Sequence, residues 1–203
     1  MGNLLIAEAQ GLKPPESVAA VRRGIEQFDA AMRLRKVTDR ASYRLEHGQP
    51  YLATLTTASL AAGDTNQAKT FAGQLLQGLD PKRDALYHGN YVYQFNSLLG
   101  QIALREGKPD EAVKHLLAAG KTPGSPSLNS FGPNFTLAKE LLQLGRPQDR
   151  VTVGNFLDEV ARFWANPDTA PDYRKADKIK QREQIEAWKK EILDGKIPTD
   201  RKW

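Results

Sequence analysis

The sequence predicts an all-α protein built from antiparallel helical hairpins. Three observations carry that prediction. Apolar residues recur at steps of three and four along most of the chain. Val, Ile and Thr are scattered, with no period-two run bounded by Asn-Gly or Asp-Gly. Gly, Pro or Asp punctuates the boundaries between the helical segments.

In chain order, residues 1–16 read as an N-terminal extension. Ser17 is a good N-cap, and Val21, Ile25, Phe28 and Met32 follow it at steps of four, three and four, which gives one apolar helix face. Thr38 and Asp39 start a shorter helix ending near Gly48. Further helices are predicted over 50–62, 65–79, 84–106, 109–119, 134–144, 148–165 and 173–193. Residues 17–171 form the expected helical-repeat domain, and 172–203 the expected amphipathic capping helix and tail. In that last helix Ile185, Trp188 and Ile192 recur at three and four. Arg174, Lys175, Lys178, Lys180, Arg182, Lys189 and Lys190 alternate with Asp177, Glu183, Glu186 and Glu191, as on a solvated surface docking one narrow apolar face. The competing reading of this helix is a partner-binding arm. Residues after Gly195 are expected to be loosely held, with Trp203 as the one candidate anchor.

Composition narrows the function classes. The chain has 203 residues, 40% hydrophobic and 26% charged, which excludes wholesale disorder and suits one domain burying roughly 70% of its extended surface. Basic residues number 29 against 24 acidic, a net charge of +5, and the two signs are interleaved, so no basic stripe marks a nucleic-acid site. The absence of cysteine excludes thiolate zinc sites, iron–sulfur clusters, a Cys nucleophile and disulfides. No apolar run approaches the 18 or so residues of a membrane span, so no membrane association is expected. The opening Met1-Gly2-Asn3-Leu4-Leu5-Ile6-Ala7-Glu8 lacks a basic leader and places an acid early. It does not read as a signal peptide, and a soluble, cytoplasmic protein is expected.

Two hairpins share a spacing. Leu55 lies eight residues before Gly63 and Ala68 five after it; Leu99 lies eight before Gly107 and Ala112 five after it, an offset of 44. A glycine at each turn is expected to close the first helix in a left-handed conformation, with Thr65 or Pro109-Asp110 opening the second. Leu99, Ala112 and Leu116 are expected to form one buried layer. With Leu99, Gly100, Gly107, Ala112, Leu116 and Ala119, and Pro123 as terminator, the segment 93–126 resembles a tetratricopeptide repeat of a bacterial tetratricopeptide-like protein. Leu55, Gly63 and Ala68 carry a weaker repeat over 49–81, departing from the pattern at Thr56 and Ala72. Leu141, Leu142 and Gly145, followed by Phe156, Val160, Phe163 and Trp164, carry another over 134–165. The resemblance implies stacked hairpins forming a short solenoid that binds a partner protein or peptide on its concave face. It brings over no catalytic residue.

The alternative from a different class is a small-molecule binder or enzyme on the same scaffold. The segment from Gly120 to Asn134 is long for a connection between packed helices and rich in Gly and Pro. It lies at the same end of the hairpin as Tyr87–Tyr93, at the start of the preceding helix. His88, Asn90, Lys121, Ser125, Asn129 and Asn134 are therefore the candidate ligand-binding residues, suited to a small polar ligand. The bland reading of the same residues is caps, turns and aromatic packing, with Asn134 as an N-cap. Gly120-Lys121-Thr122 resembles the end of a phosphate-binding loop, but His115 stands where its first glycine is required. His47 and His115 are isolated, and no His-Glu-x-x-His or Gly-x-Ser-x-Gly pattern occurs, so neither a metal nor a cofactor is expected.

Overall fold

The computed structural model describes residues 49–199 and Trp203, apart from 62 and 83, together with 16, 19, 20, 23, 24, 26, 27 and 30; of 49–51 it describes the backbone alone. The described positions between 16 and 30 are helical. Val21, Ile25, Phe28 and Met32, and the helix expected over 38–48, lie outside the described residues. Among the described residues the secondary structure is helical with no strand: α1 (Gln49–Ala61), α2 (Thr65–Gln77), α3 (His88–Arg105), α4 (Pro109–Gly120), α5 (Pro126–Phe131), α6 (Thr136–Gln143), α7 (Pro147–Trp164) and α8 (Asp172–Leu193). The chain divides into two compact units, 1–81 and 82–203, a boundary inside the range that the sequence assigns to one repeat domain.

In the first unit α1 and α2 form a hairpin. Leu52, Leu55 and Ala58 of α1 and Ala68, Phe71, Ala72 and Leu75 of α2 are buried. The Asp64 carboxylate accepts from the Gln67 backbone N–H at 3.0 Å, so Asp64 caps α2 and Thr65 is its first residue.

In the second unit α3 packs most extensively on α4, α7 lies against α4, α5, α6 and α8, and α6 touches α3 and α4. One core joins Ala112, Leu116, Phe135, Leu141, Val153, Phe156, Val160, Trp164, Ile185, Trp188 and Ile192 with smaller neighbours. The expected layer is corrected in one member. Ala112 and Leu116 are buried, but Leu99 is only half-buried while Leu98 and Ile102 are buried, which turns the inner face of α3 by about one residue. Arg146 clamps the buried Asp149 through two hydrogen bonds of 2.8 and 2.7 Å and reaches Asp110 at 2.8 Å. Both acids lie in first turns, of α7 and α4, where a helix favours negative charge.

The two glycine turns are alike. Gly63 has φ 79° and Gly107 φ 72°. Gly107 N–H donates to Leu104 and Lys108 N–H to Ala103 at 3.0 and 2.8 Å; Gly63 and Asp64 repeat the pair onto Leu60 and Ser59 at 3.0 and 2.9 Å. A side chain on Gly107 would meet nothing within 4 Å, so the requirement for glycine is purely one of backbone conformation. Gly107→Val is expected to lower stability by more than about 1 kcal/mol, because a β-branched residue disfavours positive φ. Denaturant unfolding of the variant checks this, and an unchanged midpoint would contradict the assigned turn.

Candidate functional site

The segment from Gly120 to Asn134 is bolted to the start of α3 by a close backbone approach. The Thr122 hydroxyl, itself buried, donates to the Gly89 carbonyl at 2.6 Å and accepts from Gly124 N–H at 3.2 Å. Gly89 has no room for a side chain, since a Cβ there would overlap the Gly124 carbonyl. The segment is not irregular throughout. Ser125 caps α5 through its hydroxyl, which accepts from Leu128 N–H at 3.1 Å, and Pro126 occupies the first helical position.

This arrangement opens a cleft of about 340 Å³ between α3 and the segment, lined by Asn90, Tyr93, Gln94, Ser97, Leu98, Gln101, Leu128, Gly132 and Asn134. Its floor is fixed. Tyr93 is buried and its hydroxyl donates to the Asn134 carbonyl at 2.8 Å. Burial raises the phenol's pKa far above the usual range, opposed by a hydrogen bond from Ser97, so the hydroxyl stays a donor. The Asn134 carboxamide oxygen accepts from Thr136 N–H at 2.8 Å, an Asx turn one residue ahead of the Phe135 N-cap position of α6.

The six candidate residues therefore separate. Asn90 and Asn134 are brought together at the cleft. Ser125 is engaged as a cap, Lys121 is exposed after α4, and neither lines the cleft. Asn129 lines a different cleft on α5. His88 is half-buried with Nδ1 enclosed and without a hydrogen-bond partner, away from the cleft walls. His115 is not isolated: its Nδ1 lies 3.1 Å from the Asn96 carboxamide oxygen. Because the Asn96 amide donates to Val92, the imidazole must donate here. Burial lowers the pKa of His115, against the opposing charge of Glu111, which favours that neutral donor.

Gln94, Ser97 and Gln101 are cleft residues that the sequence reading missed. With Asn90 they run at steps of four, three and four, a polar stripe along one face of α3. Among the described residues no group of three or more His, Asp or Glu could hold a metal ion, and no helix is long and apolar enough to cross a membrane. No protein-family model, curated protein or solved structure matches the chain.

Proposed function

We propose that the chain is a short scaffold of tetratricopeptide-like hairpins, closed on its C-terminal side by α8, that binds an extended peptide segment of a partner protein along α3. The observation that carries this reading is the stripe Asn90, Gln94, Ser97 and Gln101 facing Asn134 across the cleft. A carboxamide both donates and accepts, so a row of them matches the alternating N–H and C=O groups of an extended backbone without demanding a particular side chain. From position 90 to 101 a helix rises about 16 Å, the reach of about five extended residues.

The competing reading is a small polar ligand held between the 120–134 segment and the start of α3. The cleft volume supports it too, since small-molecule pockets begin near about 300 Å³. One experiment separates the two. A random peptide library is panned on the immobilised chain, and a recovered peptide is titrated against wild type and the double variant Gln94→Ala, Gln101→Ala. Two lost hydrogen bonds of about 1 kcal/mol each should weaken binding tenfold or more. Unchanged affinity in the variant would overturn the peptide reading. A stoichiometric small molecule, seen by native mass spectrometry on wild type and lost from the variant, would establish the alternative.

A further inference from the structure

A second cleft, of about 290 Å³, opens between α5, the α7–α8 connection and the start of α8; its polar lining includes Asn129, Ser130, Asn166, Thr169, Arg174 and Lys178. Lys178 is buried, with 5% of its surface exposed. Its ammonium donates to the Trp164 carbonyl and, at 3.4 Å, to that of Asn129, leaving one of three N–H groups over. Arg174 donates one N–H to the same Asn129 carbonyl at 3.3 Å. Two cations thus converge on one neutral oxygen. Among the described residues neither forms an ion pair, whereas Lys175, in the same stretch of α8, pairs with Asp172 at 2.8 Å. The nearby acid is Asp177, which is exposed.

Such an arrangement is costly by itself. A desolvated ammonium is stabilised by carbonyl dipoles but not neutralised by them, and Arg174 adds like charge beside it. Arg174 also sits in the first turn of α8, where the helix field disfavours positive charge, whereas the Lys178 ammonium meets the favourable C-terminal carbonyl of α7. Burial first, and then the Arg174 charge, pull the Lys178 pKa below the ordinary lysine range, with Asp177 opposing. An oxyanion between the two cations would offset both the desolvation of the ammonium and the repulsion between the two charges.

We propose that this cleft binds the oxyanion of a small organic ligand, a carboxylate or a phosphate monoester, between Arg174 and Lys178. The neutral groups of Asn129, Ser130, Asn166 and Thr169 surround the position as hydrogen-bonding partners, and Phe163 and Tyr173 supply an aromatic wall for the organic part. Arg174 matches either anion through two parallel N–H bonds, while the ammonium contributes a point charge.

The full chain is titrated calorimetrically with inorganic phosphate and, separately, with acetate, at an ionic strength held constant with chloride. Saturable binding of at least one anion is expected, weakened tenfold or more in Arg174→Gln, whose partly exposed side chain can be replaced without disturbing the core. Saturation by phosphate alone names a phosphate ester, by acetate alone a carboxylate, and by both a site for either. Lys178→Met should abolish binding as well. Since it strips the buried Trp164 carbonyl of this donor and the Asn129 carbonyl of one of two, and so lowers stability, Arg174→Gln carries the decision. Absence of saturable binding by either anion, or equal binding by Arg174→Gln, would overturn the site and leave the two cations as a clamp from α8 onto α5 and α7. The peptide cleft shares none of these side chains, so neither result bears on Gln94 and Gln101.

Discussion

Replacing Phe135 by alanine is expected to lower the unfolding free energy of the second unit by roughly 3–5 kcal/mol, the range for removing a fully enclosed aromatic ring. Phe135 is 3% exposed and stands where the aromatic contacts of the unit converge. It meets Phe156, Trp164 and Trp188 edge-on at ring distances of 6.3, 6.2 and 5.3 Å and stacks on Trp203 at 5.2 Å. It therefore touches all 3 tryptophans of the chain, and all of them lie in this unit. Tryptophan emission during denaturant unfolding reports the loss directly. Destabilisation below about 1 kcal/mol would mean that the cavity closes freely and that the aromatic cluster is not the centre of the core.

Gly89→Ala should have the wrong sign for a helical glycine. Helix propensity alone would make the change stabilising, by less than the roughly 1 kcal/mol of a helix interior because Gly89 is only the second residue of α3. The added methyl would overlap the Gly124 carbonyl, which is backbone and cannot rotate away, so overpacking wins and a net loss toward roughly 3 kcal/mol is expected. Gly154→Ala, in α7, adds a methyl that would meet nothing within 4 Å and so provides the opposite sign in the same unit. If both alanine variants gain stability, the segment does not rest on α3 and the cleft floor is not fixed as described.

Helix positions are largely legible in the sequence because they depend on local signals. The left-handed glycines at 63 and 107 fall where the turn chemistry places them, and Ile185, Trp188 and Ile192 are buried as their spacing demands. α5 lies hidden inside an apparent loop, although Ser125 before Pro126 is a helix-start signal. The site is less legible because it depends on which face of a helix stays open. The polar stripe on α3 could have been found by applying to amides the three-and-four rule used for apolar residues. Lys178 lies seven residues before Ile185, on the buried stripe of α8, yet its charge suggests a solvated side chain. The Gly89–Gly124 approach could not have been found this way, since no local pattern says which distant backbone a glycine will face.

That approach also bears on the order of folding. Thr122 and Gly89 are 33 positions apart, but most of the chain between them is the α3–α4 hairpin. Once the hairpin has formed, its two ends already lie together, and the chain entropy of closing the loop has mostly been lost. The seam at Gly89 can then zip shut late, after the rate-limiting barrier. A defect there would accelerate unfolding while leaving the refolding limb of the chevron almost unmoved.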